Sequence, residues 1–98
     1  MLRVTIGDTE YAIKWSHNVD VGSIIGTACF LFEGHPNDKI KDMERTAAAL
    51  AILNPKDHYN NNVGRKVSLQ RLLLSQFSDQ GTRKLFWDAY FKMRNGKW

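Results

Sequence analysis

The chain has 98 residues, 43% of them hydrophobic, one cysteine and a net charge of +4. That length supports one domain with one modest core, and that composition excludes a disordered chain. No apolar run reaches the ~20 residues a membrane-spanning helix needs, and the start lacks the basic-then-apolar layout of a signal peptide.

The charge is uneven. Residues 1–55 hold five Lys/Arg against seven Asp/Glu, while residues 56–98 hold nine against three. A basic C-terminal half points to an anionic partner, whether nucleotide, nucleic acid or acidic protein surface; a solvated basic face is the plain alternative.

Leu2-Arg3-Val4-Thr5-Ile6 alternates apolar and polar residues and predicts a half-buried strand. Gly7-Asp8 signals a turn, and Glu10-Tyr11-Ala12-Ile13-Lys14-Trp15 alternates again, so the two make a hairpin. Residues 16–20 read as a loop. The run Ile24-Ile25-Gly26-Thr27-Ala28-Cys29-Phe30-Leu31-Phe32 is too continuous for alternation and predicts a buried strand, with Gly26 a candidate bulge. Cys29 lies inside it and reads as a buried thiol with no disulfide partner, which suits a reducing cytoplasm.

Residues 39–53 are two-sided. Thr46-Ala47-Ala48-Ala49-Leu50-Ala51 has strong helix propensity, with Asn37 or Asp38 as a cap and Pro55 beyond the end. The competing reading is a buried strand over 45–53. Residues 63–77 predict a helix, with Leu69, Leu72, Leu73 and Phe77 on one face. Ser78 to Gly81 reads as a break, and Thr82 as the cap of a second helix over 83–94. Leu85, Phe86, Ala89, Tyr90 and Met93 form its stripe. Trp87 and Phe91 fall beside that stripe, and with Trp98 they form a candidate interface. So small a chain gains from sharing a core, so a homo-oligomer is expected.

No catalytic or metal chemistry is legible. His17, His35 and His58 have no second ligand at metal spacing, and no nucleophile motif or phosphate-binding P-loop is present. The chain is therefore read as a non-enzyme without cofactors. What remains is recognition hardware around Asn54-Pro55-Lys56-Asp57-His58-Tyr59-Asn60-Asn61-Asn62-Val63-Gly64-Arg65-Lys66. Arg65 and Lys66, read as lying in the first helical turn, would meet a phosphate or carboxylate together with helix-start amides. Tyr59 would stack on a base, Asn60, Asn61 or Asn62 would read a base or ribose edge, and Arg71 would add charge. The structural alternative has the cations solvated or paired with Asp57, and the asparagines serving a turn.

The stretch from Pro55-Lys56-Asp57 through Tyr59-Asn60 and Gly64-Arg65-Lys66 to Leu69-Gln70-Arg71-Leu72 resembles a pattern in small bacteriophage-encoded proteins, as does Lys84-Leu85-Phe86-Trp87-Asp88-Ala89-Tyr90. The resemblance implies that the segment before the motif is a strand of an antiparallel sheet, which decides residues 45–53 against propensity. The expected fold is α+β: about four antiparallel strands packed by the helix over 63–77 and by an aromatic C-terminal helix. The expected function is that of a phage anti-defence protein in the host cytoplasm, sequestering a cyclic nucleotide signal. The alternatives are inhibition of a host protein or CRISPR-type nucleoprotein through the aromatic and basic C-terminal half, and direct nucleic-acid binding.

Overall fold

The computed structural model describes residues 2–21, 24–52 and 61–96. Four strands form one antiparallel meander: β1 (Leu2–Ile6), β2 (Thr9–Val21), β3 (Ile24–Gly34) and β4 (Glu44–Ile52). Two helices follow, α1 (Asn61–Gln76) and α2 (Gln80–Gly96), completing the expected α+β fold. The first turn needs Gly7, whose φ of +61° lies where side chains are disfavoured.

Pairing of strand residues sorts them into two faces. Leu2 opposes Ile13, Ile13 opposes Leu31, and Leu31 opposes Ala47. This row and its neighbours Trp15, Cys29 and Ala49 face the helices. Against them pack Leu69, Leu72 and Leu73 from α1, and Phe86 and Tyr90 from α2, all essentially solvent-free. α1 lies over β3 and β4, and α2 over β1. Both helices therefore cover the same side of the sheet.

β4 is a strand despite its alanine run. Residues 44–52 pair along β3 from Glu33 to Gly26, and ladder hydrogen bonds with burial outweigh the small helix preference of alanine. Small side chains at Ala47 and Ala49 leave room for α1 above. The close approach continues at Gly64 and Ser68, one turn apart on α1 and both buried. A Cβ on Gly64 would overlap Thr27 Oγ1 and lie 2.9 Å from Thr27 Cβ. Ser68 returns its hydroxyl to the Gly64 carbonyl at 2.7 Å, so a buried polar group is satisfied within the helix.

Several boundaries differ from expectation. Residues 16–20 continue β2 rather than forming a loop. The pairing shifts between Ser16 and Val19, so β2 carries an extra residue there, and that irregularity is what broke the alternation in sequence. Gly26 is paired rather than bulged. A Cβ there would meet the Ala51 carbonyl oxygen at 2.5 Å, so it marks close approach of β4. α2 begins at Gln80, three residues early, and its cap is Asp79 instead of Thr82. Asp79 Oδ2 accepts from the Thr82 amide at 3.0 Å and from its hydroxyl at 2.9 Å. These bonds hold the Asp79 carboxyl below the usual carboxylate range.

Residues 35–43 fold back across the lower end of the uncovered sheet face. Arg3 donates to Glu10 at 2.7 Å and to the Asp38 carbonyl at 2.8 Å, while Thr5 also donates to Glu10. Met43 is buried beside Gly34, where a Cβ would lie 2.9 Å from its Cγ.

Candidate interaction surface

α1 starts at Asn61, two residues earlier than the sequence suggested, so Arg65 and Lys66 fall in its second turn. The opposition between their charge and the helix dipole is correspondingly weaker, since that effect fades beyond the first turn. The three α1 cations diverge. Lys66 places its ammonium 5.7 Å from the centre of the Phe91 ring on α2. Arg71 reaches the other way, donating to the Leu50 carbonyl on β4 at 2.8 Å. Arg65 is half-buried and acts on His17 of β2. The structure does not bring Lys66 and Arg71 together. Tyr59, Asn60 and Trp98 lie outside the described residues.

His17 Nδ1 sits 3.1 Å from Thr27 Oγ1 beside the β2 irregularity. Burial, and then the positive charge of Arg65, push its pKa below the usual histidine value. The ring is neutral at neutral pH, and it favours the folded state less as pH falls and the unfolded chain takes up the proton.

What the structure does assemble is an aromatic series running outward from the core. Trp15 meets Tyr90 edge-on at 6.0 Å, Tyr90 meets Trp87 at 5.7 Å, and Trp87 stacks on Phe91 at 5.9 Å and 27°. Phe91 remains 42% exposed, and Trp87 is half-buried. A cation over an exposed aromatic ring contributes about 0.5–1 kcal/mol, so Lys66 and Phe91 hold each other in place. Trp87 also borders an open hollow of about 550 Å³ with Gln80, Gly81, Arg83 and Lys84. Arg83 is fixed by donating to the Phe77 carbonyl at 2.7 Å, where α1 ends. Lys84 faces Asp88 at a loose 3.5 Å, both largely solvated, so that pair contributes little.

Of the two aromatics beside the stripe, Phe91 is exposed, while Trp87 is half-buried and packs against the core. Arg83 and Lys84 were not singled out from sequence. Their spacing of four and three residues before Trp87 is the signal that places them on its side of the helix. Among the described residues, no group of three or more His, Cys, Asp or Glu side chains could hold a metal ion.

Cys29 is fully buried beneath α1, and its surroundings raise its pKa to about 12, burial outweighing the opposing hydrogen bond with Ser68. The thiolate that alkylating reagents need is therefore scarce. Iodoacetamide at pH 8 is expected to leave Cys29 unmodified in the native chain and to label it in urea, read by intact mass; rapid native labelling would contradict this packing. Because the unfolded thiol ionises near pH 9 and the folded one near 12, the thiol's contribution to stability is complete below pH 9 and is lost as pH rises towards 12.

Comparison with protein-family models, with curated proteins and with solved structures gives no match. No helix among the described residues is long and apolar enough to cross a membrane.

Proposed function

We propose that this chain is a non-enzymatic, phage-encoded anti-defence protein that binds an anionic host target in the bacterial cytoplasm, and that the target is a protein or nucleoprotein surface gripped by the helical layer. The observation that carries this reading is the Trp87–Phe91 stack, half-buried at Trp87 and exposed at Phe91, with Lys66 on one side and Arg83 and Lys84 on the other. Aromatic side chains and arginine are the groups that dominate protein interfaces, and flanking cations select acidic partners. Sequestration of a cyclic nucleotide is the narrower version of the same proposal. It asks one small ligand to draw on Lys66 and Arg71 from opposite flanks of α1, which favours the larger partner. Self-association belongs to the proposal too, since Val63, Leu74 and Leu85 are each exposed by 45–60% and would be covered in an oligomer.

Affinity capture from bacterial lysate, followed by titration of the purified captured component, tests the reading. Trp87→Ala or Phe91→Ala is expected to weaken that titrated affinity about 30-fold, the size of an interface hot spot of about 2 kcal/mol. Added salt should weaken it further, and Arg71→Ala should leave it within about twofold, as for a side chain engaged elsewhere. Unchanged affinity in both aromatic variants would remove the helical layer as the binding surface. Heat on titrating cyclic nucleotides, absent for Arg65→Ala, would return the reading to its nucleotide version.

A further inference from the structure

The second face of the sheet carries no α-helix among the described residues, only the segment 35–43 across its lower end, and its side chains are of an unusual kind. On the central strand β3, Phe30 and Phe32 both point to this face, opposite in direction to the buried Leu31 between them. Both are half-buried rather than covered. Lys14 opposes Phe30 and is exposed. Arg45 opposes Phe32, and its guanidinium lies 5.3 Å from the centre of the Phe30 ring. Two acids lie on this face: Glu10 is buried and already bound by Arg3 and Thr5, and Asp38 sits against Gly34 and accepts from the His35 amide at 2.8 Å. The open part of the face is therefore two aromatic rings rimmed by two cations, with the acids of this face gathered at its Gly34 end.

From this juxtaposition we infer that the bare sheet face is a platform for single-stranded nucleic acid, with bases stacking on Phe30 and Phe32 and phosphates met by Lys14 and Arg45. Every base has a π-face, so aromatic side chains on an open sheet bind single strands with little regard to sequence. Two positions along a strand separate the ring origins by about 6.6 Å, twice the 3.4 Å repeat per nucleotide within a duplex strand. The platform takes bases splayed apart, and a duplex, whose bases are already stacked, does not offer them. A second copy of the chain fits less well, because it would bring Lys14 and Arg45 against their own counterparts, and interface centres are depleted of lysine. This surface is separate from the helical layer proposed above and stands or falls without it.

The test is fluorescence anisotropy of the full chain with labelled oligodeoxythymidylate and oligouridylate of about a dozen nucleotides, with a duplex of equal length as control. Single strands are expected to bind at low salt and better than the duplex. Affinity should fall with salt with a logarithmic slope of about −1.4 for two phosphate contacts. Phe30→Leu and Phe32→Leu keep an apolar side chain in each place, so loss of binding is not loss of fold; each should weaken binding about tenfold, while Phe30→Tyr should retain it. Lys14→Glu and Arg45→Glu should weaken it and flatten the salt slope. Trp87→Ala, on the far side of the sheet, should change nothing. The inference is overturned by no binding of any strand at low salt, by binding indifferent to both leucine variants, by preference for the duplex, or by a dimer that Phe30→Leu dissociates.

Discussion

Replacing Phe86 by alanine is expected to remove about 3–5 kcal/mol of stability, the usual cost of truncating a fully enclosed aromatic ring. Phe86 is wholly buried, stacks on Phe77 at 5.0 Å and meets Tyr11 edge-on at 5.8 Å. It therefore joins three elements: α2 that carries it, the end of α1 at Phe77, and β2. A domain of this length has about 5–15 kcal/mol in total, so the variant should sit near its unfolding threshold. Urea denaturation followed by circular dichroism measures the effect. Leu85→Ala, the adjacent position but 47% exposed, should stay within about 0.5 kcal/mol of the parent. Equal effects at the two positions would show that α2 does not dock through its Phe86 face.

Gly64→Ala sets two effects against each other, and the geometry decides the sign. Alanine gains about 1 kcal/mol over glycine inside a helix. Its methyl group, however, would overlap the Thr27 hydroxyl and press on Thr27 Cβ at 2.9 Å. Thr27 is itself 1% exposed on the central strand β3, so it has nowhere to retreat. Overpacking of this kind costs about 1–3 kcal/mol, and the displaced α1 would also loosen the buried Ser68. A net loss is expected, with a melting temperature several degrees lower. Thr27→Ala removes the overlapping oxygen but not Cβ, so the double variant should recover part of the loss, a coupling that a double-mutant cycle isolates. A rise in melting temperature for Gly64→Ala alone would mean that α1 rides higher over β3 than this packing allows.

The fold was readable where one physical signal acted alone. The first hairpin follows from alternation and Gly7, and α1 from the spacing of Leu69, Leu72 and Leu73. β4 was not readable from its own residues, because propensity there favours a helix and only pairing with β3, which is remote information, overrides it. The loop expected at 16–20 failed for a related reason: one extra residue in β2 resets the alternation without ending the strand. The cap of α2 was misplaced because Asp79 and Thr82 both suit the role, and only the bonds between them distinguish helper from cap.

The candidate surface was partly readable. Trp87 and Phe91 followed from helical spacing, but the ring that Lys66 would find was not, since it depends on α1 and α2 lying on one side of the sheet. The same arrangement hid the platform. An unbroken run such as Phe30-Leu31-Phe32 reads as enclosed on both sides, and only the placement of both helices over Leu31 leaves the two phenylalanines facing out.

Arg71 carries a consequence beyond its own bond. β4 is the last strand of the meander, and such a strand offers backbone acceptors to any extended peptide that drifts alongside. By occupying the Leu50 carbonyl, the guanidinium withholds one rung of that ladder and stands a cation in the path of an incoming chain. A single side chain from the helix above thus helps keep a four-strand sheet from growing a fifth out of its neighbour.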